Sequence, residues 1–147
     1  YKGMKYSAVP CAEPQTPMPD NPSATYLTDN LESHLKSRPA CYNFMVQLYI
    51  DSEKTPIEDP SIEWNESDSP FVKVATLEIP RQEFRSPKQQ QFCENLSFTP
   101  WHSIDTLRPL GNLNRVRKKV YEAVSLQRHK NNGVAAEEPV PDDLFNF

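Results

Sequence analysis

Glycine is scarce in this chain, with 3 residues in 147 against 15 prolines. That scarcity excludes the glycine-rich loops that cradle phosphates, and a lone Gly111 makes none. No Gly-x-Ser-x-Gly occurs either, so the strained turn of an α/β-hydrolase nucleophile is missing. Basic charge is also short: 16 Lys and Arg against 20 Asp and Glu leave a net charge of -4. A nucleic-acid footprint needs a basic excess, so nucleic acid is not an expected partner. No apolar run approaches ~20 residues, so no membrane span is expected. Residues 1 to 20 lack the basic, then apolar, then small-residue order of a signal peptide, and a soluble, intracellular chain is the expectation. The three cysteines, Cys11, Cys41 and Cys93, are odd in number and form no C-x-x-C. A disulfide framework or zinc site is therefore not expected, and each thiol reads as a reduced, partly buried small side chain.

What is present is a soluble globular mix, 37% hydrophobic and 24% charged, long enough for one domain with a modest core. The chain opens on Tyr1-Lys2-Gly3 with no initiator Met, and a fragment or processed product is the expectation. The prolines cluster at 10–22, at 56–70 and near the C-terminus, where they predict extended loops and wrapping arms.

Three segments read as strands. Residues 4 to 9 alternate. In 42 to 51, Phe44, Val46, Leu48 and Ile50 alternate with Asn43, Met45, Gln47 and Tyr49, and neither face is strongly polar. Residues 71 to 79 make the third. Leu27, Leu31 and Leu35 predict a helix over 27–37, ended by Arg38-Pro39. Ser86-Pro87-Lys88-Gln89 is a helix start, with serine at the N-cap, proline at N1 and glutamine at N3. That helix, 87–96, is expected to bury Phe92, Cys93 and Leu96. A last helix spans 113–130 and ends near Gly133. The tail from 134 to 147 is acidic and proline-containing, and reads as a mobile or partner-clasping arm.

The last helix carries the chemistry. At ~100° per residue, Arg117 and Tyr121 lie about 40° apart, and Tyr121 and Arg128 about 20° apart. All three share a face, with Val116, Val120 and Val124 on its flank, placed to pack against a sheet. A guanidinium one helical turn from a phenol favours the phenolate by charge and by hydrogen bonding. A phenolate can ligate haem iron. A second arginine two turns along can meet a carboxylate of the same cofactor.

The ordered string Phe98-Thr99-Pro100, Arg117, Tyr121, Arg128, preceded by the 87–96 helix and by "SPFVKVATLEIPRQEF", resembles the proximal haem segment of the haem catalase superfamily. The likeness spans most of residues 4 to 131. It is greatest to the small, catalase-related members, through "PIEDPSIEW", "PRQEF" and "SFTPWHSIDTLRPLGNLNRVRKKVY". The resemblance implies an α+β fold: part of an antiparallel β-barrel of catalase type, with wrapping helices and long Pro-rich arms. It places the C-terminal half of a catalase-like haem domain at 1–133 and an acidic tail at 134–147. It further implies haem b as cofactor, Tyr121 as the axial ligand of the iron, Arg117 as the group that keeps it ionised, and Arg128 on the propionate side. Phe98, Pro100 and Leu113 would pack the proximal haem face. The expected activity is that of an oxidoreductase, a catalase or peroxidase acting on hydrogen peroxide or an organic hydroperoxide.

The family's distal histidine and asparagine lie upstream of anything in this chain. His34, His102 and His129 stand in no such context. A complementary N-terminal polypeptide or segment is thus an expected partner, and an oligomer is expected. A closed barrel needs more strands than the two or three good ones here, so the sheet edges must be paired by missing strands or covered by another chain. Two alternatives stay open: rearrangement of lipid hydroperoxides in the manner of allene oxide synthases, and a haem-free scaffold or interaction module.

Other signals read blandly. Asn65-Glu66-Ser67 and Asn95-Leu96-Ser97 match the N-glycosylation pattern, and with no secretory signal in view they read as chance matches. Asn95 falls at a helix end, where it can cap. Glu58, Asp59, Glu63, Glu66 and Asp68 crowd one loop without an EF-hand spacing, and read as a solvated acidic loop. Trp101 reads as a packing or pocket-lining residue.

Overall fold

The computed structural model describes residues 3–11 and 17–136. The fold is mixed α+β, in the order β1 (Met4–Pro10), α1 (Tyr26–Ser37), β2 (Ala40–Leu48), β3 (Val72–Ile79), α2 (Pro87–Asn95), a 3-10 turn (Asp105–Leu107) and α3 (Asn112–Asn132). The chain divides into two compact units, Tyr1–Ile50 with Asn65–Arg85, and Asp51–Trp64 with Ser86–Phe147.

The first unit is built on an antiparallel sheet of order β1-β2-β3. The sheet is open: the outer edges of β1 and β3 take no further strand among the described residues. β2 is central, and it begins two residues earlier than its alternation predicts because Ala40 and Cys41 pair with Ile79 and Glu78. The register slips between Phe44 and Met45, which leaves Val74 as an extra residue on β3. Both faces of β2 are only half covered, and Val46 and Gln47 alone are buried along it. Gln47 is held by a bond from its Nε2 to the Ser69 carbonyl, 2.8 Å, while Ser69 Oγ donates to the Leu48 carbonyl, 2.7 Å. Tyr6 stacks on Phe44 with ring centroids 5.4 Å apart.

The cysteine expectation fails here. Cys11 and Cys41 form a disulfide, with Cα atoms 5.4 Å apart. The cause is register. The pairing that sets Met4 opposite Leu48 and Pro10 opposite Tyr42 sets Cys11 opposite Cys41, and the Cys11 N–H donates to the Cys41 carbonyl at 2.9 Å. Two cysteines directly opposite in an antiparallel ladder fall within bonding range of each other.

Helix α1 follows the leucine spacing, but of its three leucines only Leu35 is buried. Burying a leucine contributes roughly 1.5–3 kcal/mol. The helix is tied to the segment after β3: Gln82 N–H donates to the Leu35 carbonyl, and Arg81 Nε to that of Lys36. Arg85 bridges Asp29 and Glu32, each at 2.7 Å.

The second unit is helical. Helix α2 starts as its sequence predicts, with a complete capping box between Ser86 and Gln89 and Pro87 in the first turn. The expected burial of its apolar residues does not follow. Phe92 and Leu96 are half-buried and the Cys93 thiol is free and exposed. The reason is that α2 meets α3 through polar groups near its C-terminus, leaving no deep apolar seam. Trp64 is the buried apolar residue of this unit among the described residues, its indole N–H donating to the Pro56 carbonyl at 3.0 Å. Helix α3 starts at Gly111, whose φ of 87° few other residues adopt. A Cβ there would also meet the Ile57 carbonyl oxygen at 2.6 Å. At its far end Gly133, in the left-handed region, receives the chain as predicted. Of the acidic tail, only residues 134–136 are described.

Candidate functional site on the third helix

Helix α3 has two sides with different partners. One is used for packing. Ser125 shares a hydrogen bond with Ser97. His129 is buried, and its Nε2 donates to the Asn95 carbonyl at 2.7 Å. Asn132 Nδ2 donates to Asn95 Oδ1 at 2.9 Å, and the Arg128 guanidinium donates to the Glu94 carbonyl. Further along, the Trp101 indole N–H donates to the Asn114 carbonyl at 2.7 Å, and the Lys118 ammonium sits 4.8 Å above the Trp101 ring. Trp101, read from the sequence as a packing or pocket-lining residue, packs on α3 through these two contacts.

The other side is apolar and bare. Leu113, Val116, Val120 and Val124 are each 48 to 59% exposed. The valines read as placed to pack, yet each is at least half exposed. The periodicity placed them correctly on one face, but the polar contacts of Asn95, Ser97 and Trp101 with α3 turn the opposite flank inward. By helical geometry the stripe, together with Arg117, Arg128 and Tyr121, spans about 140° of arc, with Tyr121 at the border between bare and packed sides.

Tyr121 is 40% exposed, and its hydroxyl makes no hydrogen bond among the described residues. No bond joins it to Arg117, whose guanidinium donates to Asn114 Oδ1, a long contact of 3.4 Å. The Asn114–Arg117 spacing of three on a helix is a signal for that contact that sequence reading passed over. Arg128 is engaged by the end of α2, a long-range contact with no sequence signal. Phe98 is 70% exposed in the loop before the 3-10 turn, and Pro100 beside it is exposed. Helix α3 therefore places Leu113, Arg117, Arg128 and Tyr121 within an arc of about 80° that runs from the bare side to the packed border, where Arg128 is already held by α2, and Phe98 and Pro100 take accessible positions in the same unit.

The remaining candidates are accounted for within the fold. Arg115 grips Glu58 in a two-bond fork, 3.0 and 2.7 Å, and that guanidinium holds the Glu58 carboxyl below the ordinary carboxylate range. Asp59 is likewise lowered, by hydrogen bonds from the Ser61 hydroxyl and N–H. Among the described residues no cluster of three or more His, Cys, Asp or Glu side chains is placed to hold a metal ion. His34 bonds the Pro39 carbonyl through Nε2 at 3.1 Å, and His102 is exposed. No helix among the described residues is long and apolar enough to cross a membrane.

A scan against protein-family models finds no match, and a search of curated proteins finds none either.

Proposed function

We propose that this chain supplies the proximal, tyrosinate side of a haem pocket in a catalase or catalase-related peroxidase. The observation that carries the reading is the bare apolar stripe of α3 with an uncommitted phenol at its border. An apolar face left in water beside a free hydroxyl fits a flat, largely apolar ligand with a metal at its centre. The donor set fits haem b: a phenol for the iron, and arginine side chains for carboxylates. Haem, when bound, supplies the iron at which a peroxide O–O bond is broken.

The chain's own residues would do the rest. Tyr121 must release its phenolic proton to ligate. Arg117, one turn before it, needs only to leave its 3.4 Å contact with Asn114 to serve the phenolate oxygen. Arg128 is held by the Glu94 carbonyl through one Nη, and a guanidinium has further N–H groups for a propionate. Leu113, Val120 and Val124 cover the ring and exclude water, with Phe98 and Pro100 as further packing groups.

On this reading the three-stranded sheet is part of a catalase-type barrel. The two open strand edges support a complementary polypeptide that pairs with them and brings the distal residues. Whether hydrogen peroxide is decomposed or a fatty-acid hydroperoxide rearranged is decided by that missing half. Product analysis with both substrates separates the two.

A second reading, a haem-free module that keeps the fold, draws on Arg117 and Arg128 both being used inside the helical unit. Titration with haem tests the choice. Under the haem reading, haem binds one to one with a Soret band, and Tyr121→Phe abolishes tight binding. Stoichiometric haem with an unchanged spectrum in Tyr121→Phe would overturn the ligand assignment.

A further inference from the structure

Two Asn-x-Ser sequences stand in this chain, and the structure separates them. Asn65 is exposed and opens a tight turn. Its carbonyl accepts the N–H groups of Asp68, 3.1 Å, and Ser69, 3.0 Å. Its Oδ1 accepts the Ser67 N–H at 2.9 Å. The amide nitrogen Nδ2 makes no hydrogen bond among the described residues. Glu66, Ser67 and Asp68 are exposed as well, so the acceptor and the hydroxyl two residues on stand in solvent together.

Asn95 is the reverse. It is half-buried at the end of α2. Its Nδ2 donates to the Gln91 carbonyl, 2.9 Å, its Oδ1 accepts from Asn132, 2.9 Å, and its own carbonyl accepts from His129, 2.7 Å. A sugar on Asn95 Nδ2 would displace the clasp between α2 and α3. A sugar on Asn65 Nδ2 would leave every hydrogen bond of its turn in place, because the turn uses Oδ1 and the backbone only.

A second observation comes from elsewhere in the chain. Cys11 and Cys41 are joined. Disulfides form and persist in oxidising compartments, which are also where Asn-x-Ser/Thr sequences are modified. The two sequences read as chance matches only because no secretory signal is in view. The disulfide is an independent sign of an oxidising compartment and weighs against chance.

We infer that Asn65 is an N-glycosylation acceptor and that the chain matures in an oxidising lumen, with Asn95 left unmodified. The donor class is a lipid-linked oligosaccharyl pyrophosphate, used by a membrane transferase. Asn65 Nδ2 forms a bond to the anomeric carbon, the bond from that carbon to the pyrophosphate oxygen breaks, and Nδ2 loses one proton. The lipid pyrophosphate leaves, and no oxidation or reduction occurs.

The test uses the full chain made through a eukaryotic secretory pathway and digested without reduction. Mass spectrometry then reads the peptides holding Asn65, Asn95 and the Cys11–Cys41 link, before and after peptide N-glycosidase. The expected result is a glycan on Asn65, converted to aspartate by the enzyme, a bare Asn95, and linked Cys11 and Cys41. Asn65→Gln should lose all of the added mass, and Asn95→Gln should lose none. A linked Cys11–Cys41 with a bare Asn65 overturns the proposal, and so does a glycan on Asn95 alone. If the secreted chain does not accumulate, translation with microsomal membranes gives the same reading: a glycan-shifted band that Asn65→Gln removes supports the proposal, and its absence overturns it.

Discussion

The two units of this chain hold together by different means. The sheet unit has a covalent tie between β1 and β2, a few buried side chains in Leu35, Val46 and Gln47, and an ion-pair cluster along α1. The helical unit is joined mainly by polar contacts between α3 and the segment from Glu94 to Trp101, and it leaves its most regular apolar stripe in solvent. The difference teaches where to look for function. A stripe that packs is explained by packing. A stripe that the fold does not cover has to be explained by something else that covers it.

That contrast can be broken most severely at the disulfide. Replacing Cys11 and Cys41 by serine should lower the stability of the sheet unit by roughly 3.6 kcal/mol, the loop-closure value for a link whose cysteines stand 30 residues apart. Denaturant unfolding followed through the sheet's circular dichroism measures it, and an unchanged midpoint would mean the register alone suffices. In the helical unit the largest effect should come from Gly111→Ala. The new Cβ meets the Ile57 carbonyl, and the backbone there has φ 87°. Strain of that kind costs on the order of 1–3 kcal/mol, read as a lower Tm.

A milder substitution sharpens the contrast. Val120→Ser or Val124→Ser should change stability by less than about 0.5 kcal/mol, as befits exposed positions. If the proposed function holds, the same changes weaken haem binding. A core-sized loss of stability with no effect on haem would mean that the stripe is already covered.

The smallest effect concerns pH. Asp29 is held below its ordinary range by the Thr25 hydroxyl and then by Arg85, and Glu32 by Lys36 and then by Arg85. Depressed carboxylates contribute stability above their unfolded pKa values and lose it as pH falls through the folded ones, on the acid side of about pH 4. Lys36 and Arg85 are raised, Lys36 by Glu32 and Arg85 by Glu32 and then Asp29. Their contribution is complete below their unfolded pKa values and is lost only above about pH 10. The Tm difference between wild type and Arg85→Gln should therefore be flat across neutral pH and vanish in acid. Because Asp29, Lys36 and Arg85 are exposed and Glu32 is only half-buried, added salt should shrink it.

What was legible in the sequence follows from the range of each interaction. The capping box of α2 and the glycine end of α3 are written in four or five consecutive residues, and both stand where the sequence puts them. The strands and the α+β class were legible from alternation, with ends shifted by one to three residues. The disulfide was not, because odd cysteine count and absent C-x-x-C describe frameworks and metal knuckles. The Cys11–Cys41 link comes instead from strand register across an intervening helix. The bare valine stripe was half legible: period fixes which residues share a face, and says nothing of what the face meets. Likewise the spacing of Arg117, Tyr121 and Arg128 put them on one side of α3, while their partners Asn114 and the Glu94 carbonyl became visible only in three dimensions.

The central claim is that Tyr121 on this bare face ligates iron. Resonance Raman spectroscopy of the haem-loaded protein tests it most directly. The account predicts phenolate vibrations enhanced through an iron–oxygen bond, absent in Tyr121→Phe. Haem that binds with no phenolate signature, or with one that survives Tyr121→Phe, would contradict it.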